Sequence, residues 1–516
     1  MSNVDSVMEE LKVTKFRLTD TGNAKLIAQI YGDQIRYDHK RGRWLIWDKH
    51  IWKLDLDGQI QRFAKLAAEE RYRNALQIAY TNLKKAVSKW SLRSEDNQKI
   101  NAAIALLKSE YPVTDDGENW DIDPMLLGCK NGVVDLTTGA IRNGKPEDLI
   151  TMTTGVKYDP HATCPMWKQF LSEIFNDNKE LIDYIQKALG YSLTGMMTEQ
   201  LLFFCYGSGS NGKSVFISVL QKVLGDYAHN VPFSTFQSQR VRSSTNDLAA
   251  LELRRFVVSS EALGGKRLDE AILKNISGGD PVTARYLFKE FITFKPHCKI
   301  WFFVNHKPLV KDDSYGFWRR VRLIPFTRSF EKDKQDKQLA SKLQTEVEGI
   351  LTWLVQGALL YQKEGLIPVP KAVEDATAEY QRDSDSLADF IYERCTIEAT
   401  AQAKASDLWK SYKTWEASQG LSEKEMLGSK NFYRKIGEKF KKVSKKQGKI
   451  YLGIRLDNSS GDSSPSKFEA SDGSAPQNAK ISISTSHMKP LVKRYPEASP
   501  VVASTEEVEE TEVEPL

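Results

Sequence analysis

Leu201-Leu202-Phe203-Phe204-Cys205-Tyr206 runs directly into Gly207-Ser208-Gly209-Ser210-Asn211-Gly212-Lys213-Ser214 and then into VFISVLQKVLG. The first six residues have the unbroken apolar pattern of a strand buried on both faces. The last eleven have helical periodicity. Between them stands G-x-x-x-x-G-K-S, with a strand before it and a helix after it, the context that gives this pattern meaning. The glycines let successive backbone N–H groups curl around a phosphate, and the helix N-terminus adds the positive end of its dipole. In this reading residues 207–214 bind a nucleoside triphosphate. Lys213 reaches the β- and γ-phosphates, and the Ser214 hydroxyl is a ligand to Mg²⁺.

Outward from this loop, three more segments carry chemistry. Arg255-Phe256-Val257-Val258-Ser259-Ser260-Glu261 is a second buried strand ending in an acid. Glu261 is the candidate to orient the attacking water and to share in metal binding, although Ser260 stands where many such ATPases carry Asp. Lys299-Ile300-Trp301-Phe302-Phe303-Val304 is a further buried strand, and Asn305 follows it. An amide at a strand's carboxyl end is placed to hold the γ-phosphate or the water, while a turn-forming role before His306-Lys307-Pro308 is the competing explanation. Arg319 and Arg320, in FWRRV, suit a finger offered to a neighbouring subunit's nucleotide; an ordinary surface ion pair is the alternative. Between these strands, GGDPVTARYLFKEF reads as a hairpin with Lys289 near its tip and Arg285 on its arm, both candidates for DNA phosphate.

Composition bounds the rest. The 516 residues, 41% hydrophobic and 27% charged, fit several globular domains. No run approaches the roughly 18 apolar residues of a membrane span. MSNVDSVMEELKVTK lacks the apolar block of a secretory signal. The five cysteines are scattered without a Cys-x-x-Cys pair, against a disulfide scaffold or zinc ribbon. A cytoplasmic setting is expected, the host's if a phage encodes the chain. The formal net charge is +5, unevenly spread: residues 457–516 hold 5 basic and 11 acidic residues, whereas residues 428–455 hold 10 basic residues and one acid. A basic body implies a polyanionic partner.

The expected organisation is a small β-rich region at 1–60, a mostly helical domain at 61–195, an α/β ATPase core at 196–330 with a parallel sheet, and a helical segment at 331–384. A DNA-binding unit at 385–456 follows, with helices at 386–395, 405–418 and 429–440 and a lysine-rich hairpin holding Lys441, Lys442, Lys445 and Lys446. The Ser-, Pro- and acid-rich residues 457–516 are expected to be disordered.

Taken in order, GSGSNGKS, VVSSEA, LKNISGGDPVTARYLFKEFITFKP, WFFVNHKP and GFWRRVRLIPF resemble a superfamily 3 helicase of the phage and plasmid primase–helicase type, related to the poxvirus primase–helicase. Upstream, LLGCKNGVVDLTTGAIR, PEDLITMTTGVKYD, LGYSLTG, TGNAKLIAQIYGDQIRY and WLIWDKHIWKLDLDG extend the resemblance to about residues 18–456. It implies an AAA+-like core using ATP and Mg²⁺, a hexameric ring on single-stranded or forked DNA, and 3′ to 5′ translocation. It also implies that Lys213, Ser214, Glu261 and Asn305 act within one subunit and that Arg320, in preference to Arg319, acts in trans. Lys289 would belong to a DNA-contacting hairpin, and 385–456 would be a winged helix. Primer synthesis is not expected. Asp55-Leu56-Asp57, whose acids share one face of a strand, is the near candidate for a metal pair early in the chain, but Asp57-Gly58 reads as a hairpin turn and no Ser-x-His element follows, so a separate primase and polymerase are the implied partners. The alternative function is a DNA-binding replication initiator or loader in which hydrolysis is incidental.

Overall fold

In the computed structural model, which describes residues 15–238, 245–260, 267–312, 314–331, 333, 335–418, 427–445 and 448–457, five parallel strands organise the middle of the chain. They are Leu202–Tyr206, Ala228–Pro232, Phe256–Ser260, Lys299–Val304 and Val321–Pro325. Their lateral order is fifth, first, fourth, third, second, so the first and fourth strands are central neighbours. Both carry unbroken apolar runs because both faces of the sheet are covered. Phe203 stacks on Trp301 at 4.3 Å in one core and Phe204 on Phe302 at 4.6 Å in the other. Such cross-strand aromatic pairs fix the register as well as filling volume.

Two buried cations tie this sheet to the preceding region. Arg255 donates to the carbonyls of Leu193 (2.9 Å), Asp123 (3.0 Å) and Leu126 (2.8 Å). Lys299 donates to the carbonyls of Thr194 (2.5 Å) and His297 (3.2 Å) and lies 4.6 Å above the Tyr191 ring. Burial, reinforced by Arg255, pushes the Lys299 pKa well below that of an ordinary lysine. The helix Lys179–Leu193, whose last carbonyls these cations cap, is thereby fixed to the start of the third and fourth strands.

The N-terminal region differs from a small β-rich unit followed by helices. A helix, Asp20–Tyr31, comes first, and a single core runs across residue 60, joining Ala24, Ile27 and Ile35 to Phe63, Ile100 and Val113. Strands Ile35–Asp38, Arg43–Asp48 and Ile51–Leu54 form an antiparallel meander, and Thr114–Asp115 adds to its first strand in parallel. Asp57-Gly58 is not a hairpin turn. Gly58 leads into the helix Gln59–Ala75, and the Asp55 carboxylate accepts from the backbone N–H of Gln59 (2.8 Å) and Ile60 (3.1 Å) as its cap. Asp57 pairs with Arg62.

Residues 386–456 follow the order helix, strand, helix, helix, strand, strand: Ser386–Arg394, Cys395–Lys404, Ala405–Ser418, Ser429–Lys439, Lys442–Lys445 and Gly448–Leu456. The strand Cys395–Lys404 was not legible in the sequence; it pairs with Gly448–Leu456, which also pairs with Lys442–Lys445. No described helix is long and apolar enough to cross a membrane.

Candidate nucleotide and DNA sites

The glycine loop leaves the carboxyl end of the first strand and enters the helix Lys213–Leu224. Gly212 has φ +84°, a conformation glycine adopts without penalty, and a Cβ there would lie 2.6 Å from Ile174 Cγ2. A Cβ on Gly207 would lie 2.3 Å from both Asn211 Nδ2 and the Phe326 carbonyl. The segment after the fifth strand clamps the loop. The Phe330 N–H donates to the Ser210 carbonyl at 2.8 Å, and Asn211 Nδ2 donates to the Phe326 carbonyl at 3.3 Å.

Lys213 is buried. Its ammonium donates to the Gly207 carbonyl at 2.5 Å and to Asn211 Oδ1 at 3.1 Å. Burial pushes its pKa down to about 8, only partly opposed by the neighbouring Cys205. The loop thus holds a cation that is poorly solvated and eager for an anion.

Gly209, Ser210, Asn211, Gly212, Lys213, Ser214 and Asn305 line one cleft of about 680 Å³, a size suited to a nucleotide. Asn305 reaches it because the fourth strand lies directly beside the first. Ser214 is exposed within it, so its hydroxyl fits a cation that takes its other ligands from phosphate and water. Gly207 and Ser208 belong to the loop but do not line the cleft. Glu261 lies outside the described residues. The remaining wall was not foreseen: Met166, Phe170 and Glu173 come from the helix Pro165–Ile174, and Phe330, Gln335, Asp336 and Lys342 from the segment after the fifth strand. No motif marks these residues, because they approach the loop only through the fold.

Arg319 and Arg320 do not line this cleft. Arg319 is exposed and its guanidinium contacts Gln200, while Arg320 is half-buried and donates to the Gly316 carbonyl. Burial, then Arg319, lowers the Arg320 pKa.

The hairpin Val282–Arg285 and Phe291–Phe294 is antiparallel, with Arg285 and Lys289 exposed and Lys289 at its tip. In the C-terminal unit Lys441, Lys442 and Lys445 are exposed, and Lys446 lies outside the described residues. The preceding helix is less free than its charge suggests. Lys435 and Lys439 pair with Asp385 at 3.5 and 3.1 Å. Burial opposes ionisation of Asp385, but these two lysines outweigh it and hold its pKa below the usual value.

Comparison with known proteins gives matches on both sides of the cleft. Residues 24–176 match a family model described as D5 N terminal like, residues 205–320 a family of unknown function (DUF5906), and residues 382–459 a poxvirus D5 protein-like model. A protein of Acanthamoeba polyphaga mimivirus, provisionally named a helicase, is 31% identical over 325 residues, covering 58% of this chain and 34% of its own length. One from Invertebrate iridescent virus 3, named in the same way, is 23% identical over 408 residues, covering 72% of this chain and 43% of its own. A provisionally named primase of African swine fever virus is 24% identical over 371 residues, covering 66% of this chain and 38% of its own. The chain therefore spans only about a third to two fifths of these relatives. Among solved structures, the apo NrS-1 C-terminal region aligns with 70% of this chain and 75% of its own, at 13% identity and a TM-score of 0.43. D5-type models thus match both ends of the described body, and the relatives carry provisional helicase and primase names, so the chain holds D5-type domains at residues 24–176 and 382–459 and resembles the D5-like primase–helicases.

Proposed function

We propose that the chain is an ATP-driven DNA helicase motor that works as a ring, most simply a hexamer, and moves 3′ to 5′ along single-stranded DNA during replication. The observation that carries this reading is the cleft lined together by residues 209–214 of the glycine loop, Lys213 among them, and by Asn305, at the carboxyl ends of adjacent parallel strands. The strand order and the loop support an AAA+-like P-loop core of the superfamily 3 type. In it Lys213 grips the β- and γ-phosphates, Ser214 and Glu261 serve Mg²⁺, Asn305 orients the γ-phosphate or the attacking water, and Glu261 polarises that water. Mg²⁺ bound with ATP neutralises phosphate charge.

Because Arg319 and Arg320 stand outside their own subunit's cleft, Arg320 serves best as a finger for the next subunit, a role worth about 10³–10⁵ in rate in related chemistry. Residues 385–456 act as a winged helix whose exposed Lys441, Lys442, Lys445 and, by sequence, Lys446 touch phosphates. Arg285 and Lys289 engage the strand being moved. Unwinding of a 3′-tailed duplex tests this reading: wild type separates the strands and Lys213→Ala does not. Equal unwinding by both contradicts it.

A further inference from the structure

The turn at the hairpin tip holds an aromatic residue where chain geometry disfavours one. The Lys289 N–H donates to the Tyr286 carbonyl at 3.0 Å, so Leu287 and Phe288 are the central residues of a four-residue turn. Phe288, the second of them, has φ +59°. That position is ordinarily taken by glycine or asparagine, and a bulky side chain there costs of order 1–3 kcal/mol. The same Phe288 is 95% exposed, flanked by Leu287 at 64% and Phe291 at 62%.

The base of the hairpin is anchored. The Arg285 N–H donates to Thr245 Oγ1 at 2.8 Å, the Tyr286 hydroxyl to the Ala249 carbonyl at 2.9 Å, and the Leu287 N–H to Asn246 Oδ1 at 3.3 Å. The strained backbone is therefore held from below while the aromatic ring points to solvent. The surrounding charge is cationic on balance: Lys289 is the next residue and the Arg285 guanidinium lies 5.0 Å from the Phe291 ring centroid, against one exposed acid, Glu290.

An exposed ring kept at a conformational cost, with two cations beside it against one acid, fits an unpaired nucleobase attached to a phosphate backbone. We infer that Phe288 is a base-stacking residue: its ring packs against a base of the single strand while Lys289 and Arg285 hold the adjoining phosphates. The inference rests on the DNA-motor reading and adds to it a contact that is insensitive to salt. It also assigns the two neighbouring side chains different work, since stacking is tolerant of sequence whereas phosphate contacts release counterions.

Phe288→Gly separates this role from a structural one, because glycine suits the positive φ and should leave the hairpin at least as stable. The full chain, loaded with a non-hydrolysed ATP analogue, is titrated with single-stranded DNA carrying 2-aminopurine, whose fluorescence falls on stacking. Wild type quenches the probe. Phe288→Gly weakens binding about tenfold and loses the quench with an unchanged salt slope. Phe288→Trp keeps the quench, and Lys289→Ala keeps it while flattening the salt slope by about 0.7.

If Phe288→Gly binds and quenches as wild type does, the stacking role is overturned while the motor reading stands. If wild type itself binds no single strand, both fall. If Phe288→Gly disperses the oligomer but leaves binding and quenching intact, the tip docks on another copy of the chain, and the inference is likewise overturned.

Discussion

Lys213 closes its own loop: its ammonium donates to the Gly207 carbonyl, six residues back, at 2.5 Å. A nucleotide's phosphates must draw the ammonium away from that carbonyl and from Asn211, and they can do so only while it is charged. Its pKa, pushed to about 8 by burial, makes that condition testable. Phosphate binding raises the bound-state pKa above the free one, so affinity is greatest below that value and falls as pH rises through it. We expect affinity for a non-hydrolysed ATP analogue, followed by calorimetry from one pH unit below that value to one and a half above, to drop by up to about tenfold per unit on the alkaline side. Proton uptake on binding should accompany the drop. A flat profile contradicts the role of Lys213.

Asn305 lines the cleft but lies outside the loop, and its expected work is on the γ-phosphate or the water. Asn305→Ala should lower kcat by about a hundredfold while changing KM by less than about threefold, since it removes a contact made chiefly in the transition state. A rise in KM with kcat intact would mean that it only holds the nucleotide.

Arg320 and Lys213 should act in different subunits of one ring. Arg320→Ala and Lys213→Ala should each be inactive alone. Mixed in equal amounts, they should regain hydrolysis at about a quarter of the interfaces, those pairing an intact Lys213 with an intact Arg320. No recovery on mixing places the arginine in cis or outside the reaction.

Arg41 joins the N-terminal region to the core. It bonds Glu252 at 2.7 Å and Asp38 at 3.1 Å, and Asp38 is fully buried with a second partner, Arg43, at 2.9 Å. Arg41→Met leaves two acids short of a cation and should destabilise by about 3 kcal/mol in chemical denaturation. Glu252→Gln should cost less, because Asp38 keeps Arg41 paired. The double variant should resemble Arg41→Met alone, a coupling that additive losses would refute.

The loop and the three core strands were legible because their apolar runs are unbroken and glycines mark the loop's edges. The hairpin was legible through the alternation of its strands and the Gly279-Asp280-Pro281 break that leads into the first of them, while its own turn lies at Tyr286–Lys289. The helix Asp20–Tyr31 was missed although Ala24, Ile27, Ala28 and Tyr31 recur at helical spacing, because the alternating aromatic run at 43–54 drew the whole region into a β reading; its burial depends on Phe63 and Ile100 far along the chain. Asp57-Gly58 misled because Asp-Gly serves both hairpin turns and helix entrances, and only the capping by Asp55 distinguishes them. Phe170 and Phe330 could not be placed at the cleft from spacing, since no local pattern records which distant elements the sheet brings beside its first loop. The positive φ of Phe288 was equally hidden, a feature of the turn rather than of composition.

The most direct test of the motor is the rate of ATP hydrolysis by the full chain with and without single-stranded DNA, with Lys213→Ala as the control. Turnover that polynucleotide accelerates is expected in wild type, and none in the variant under either condition. Turnover indifferent to DNA, or surviving loss of Lys213, would contradict it.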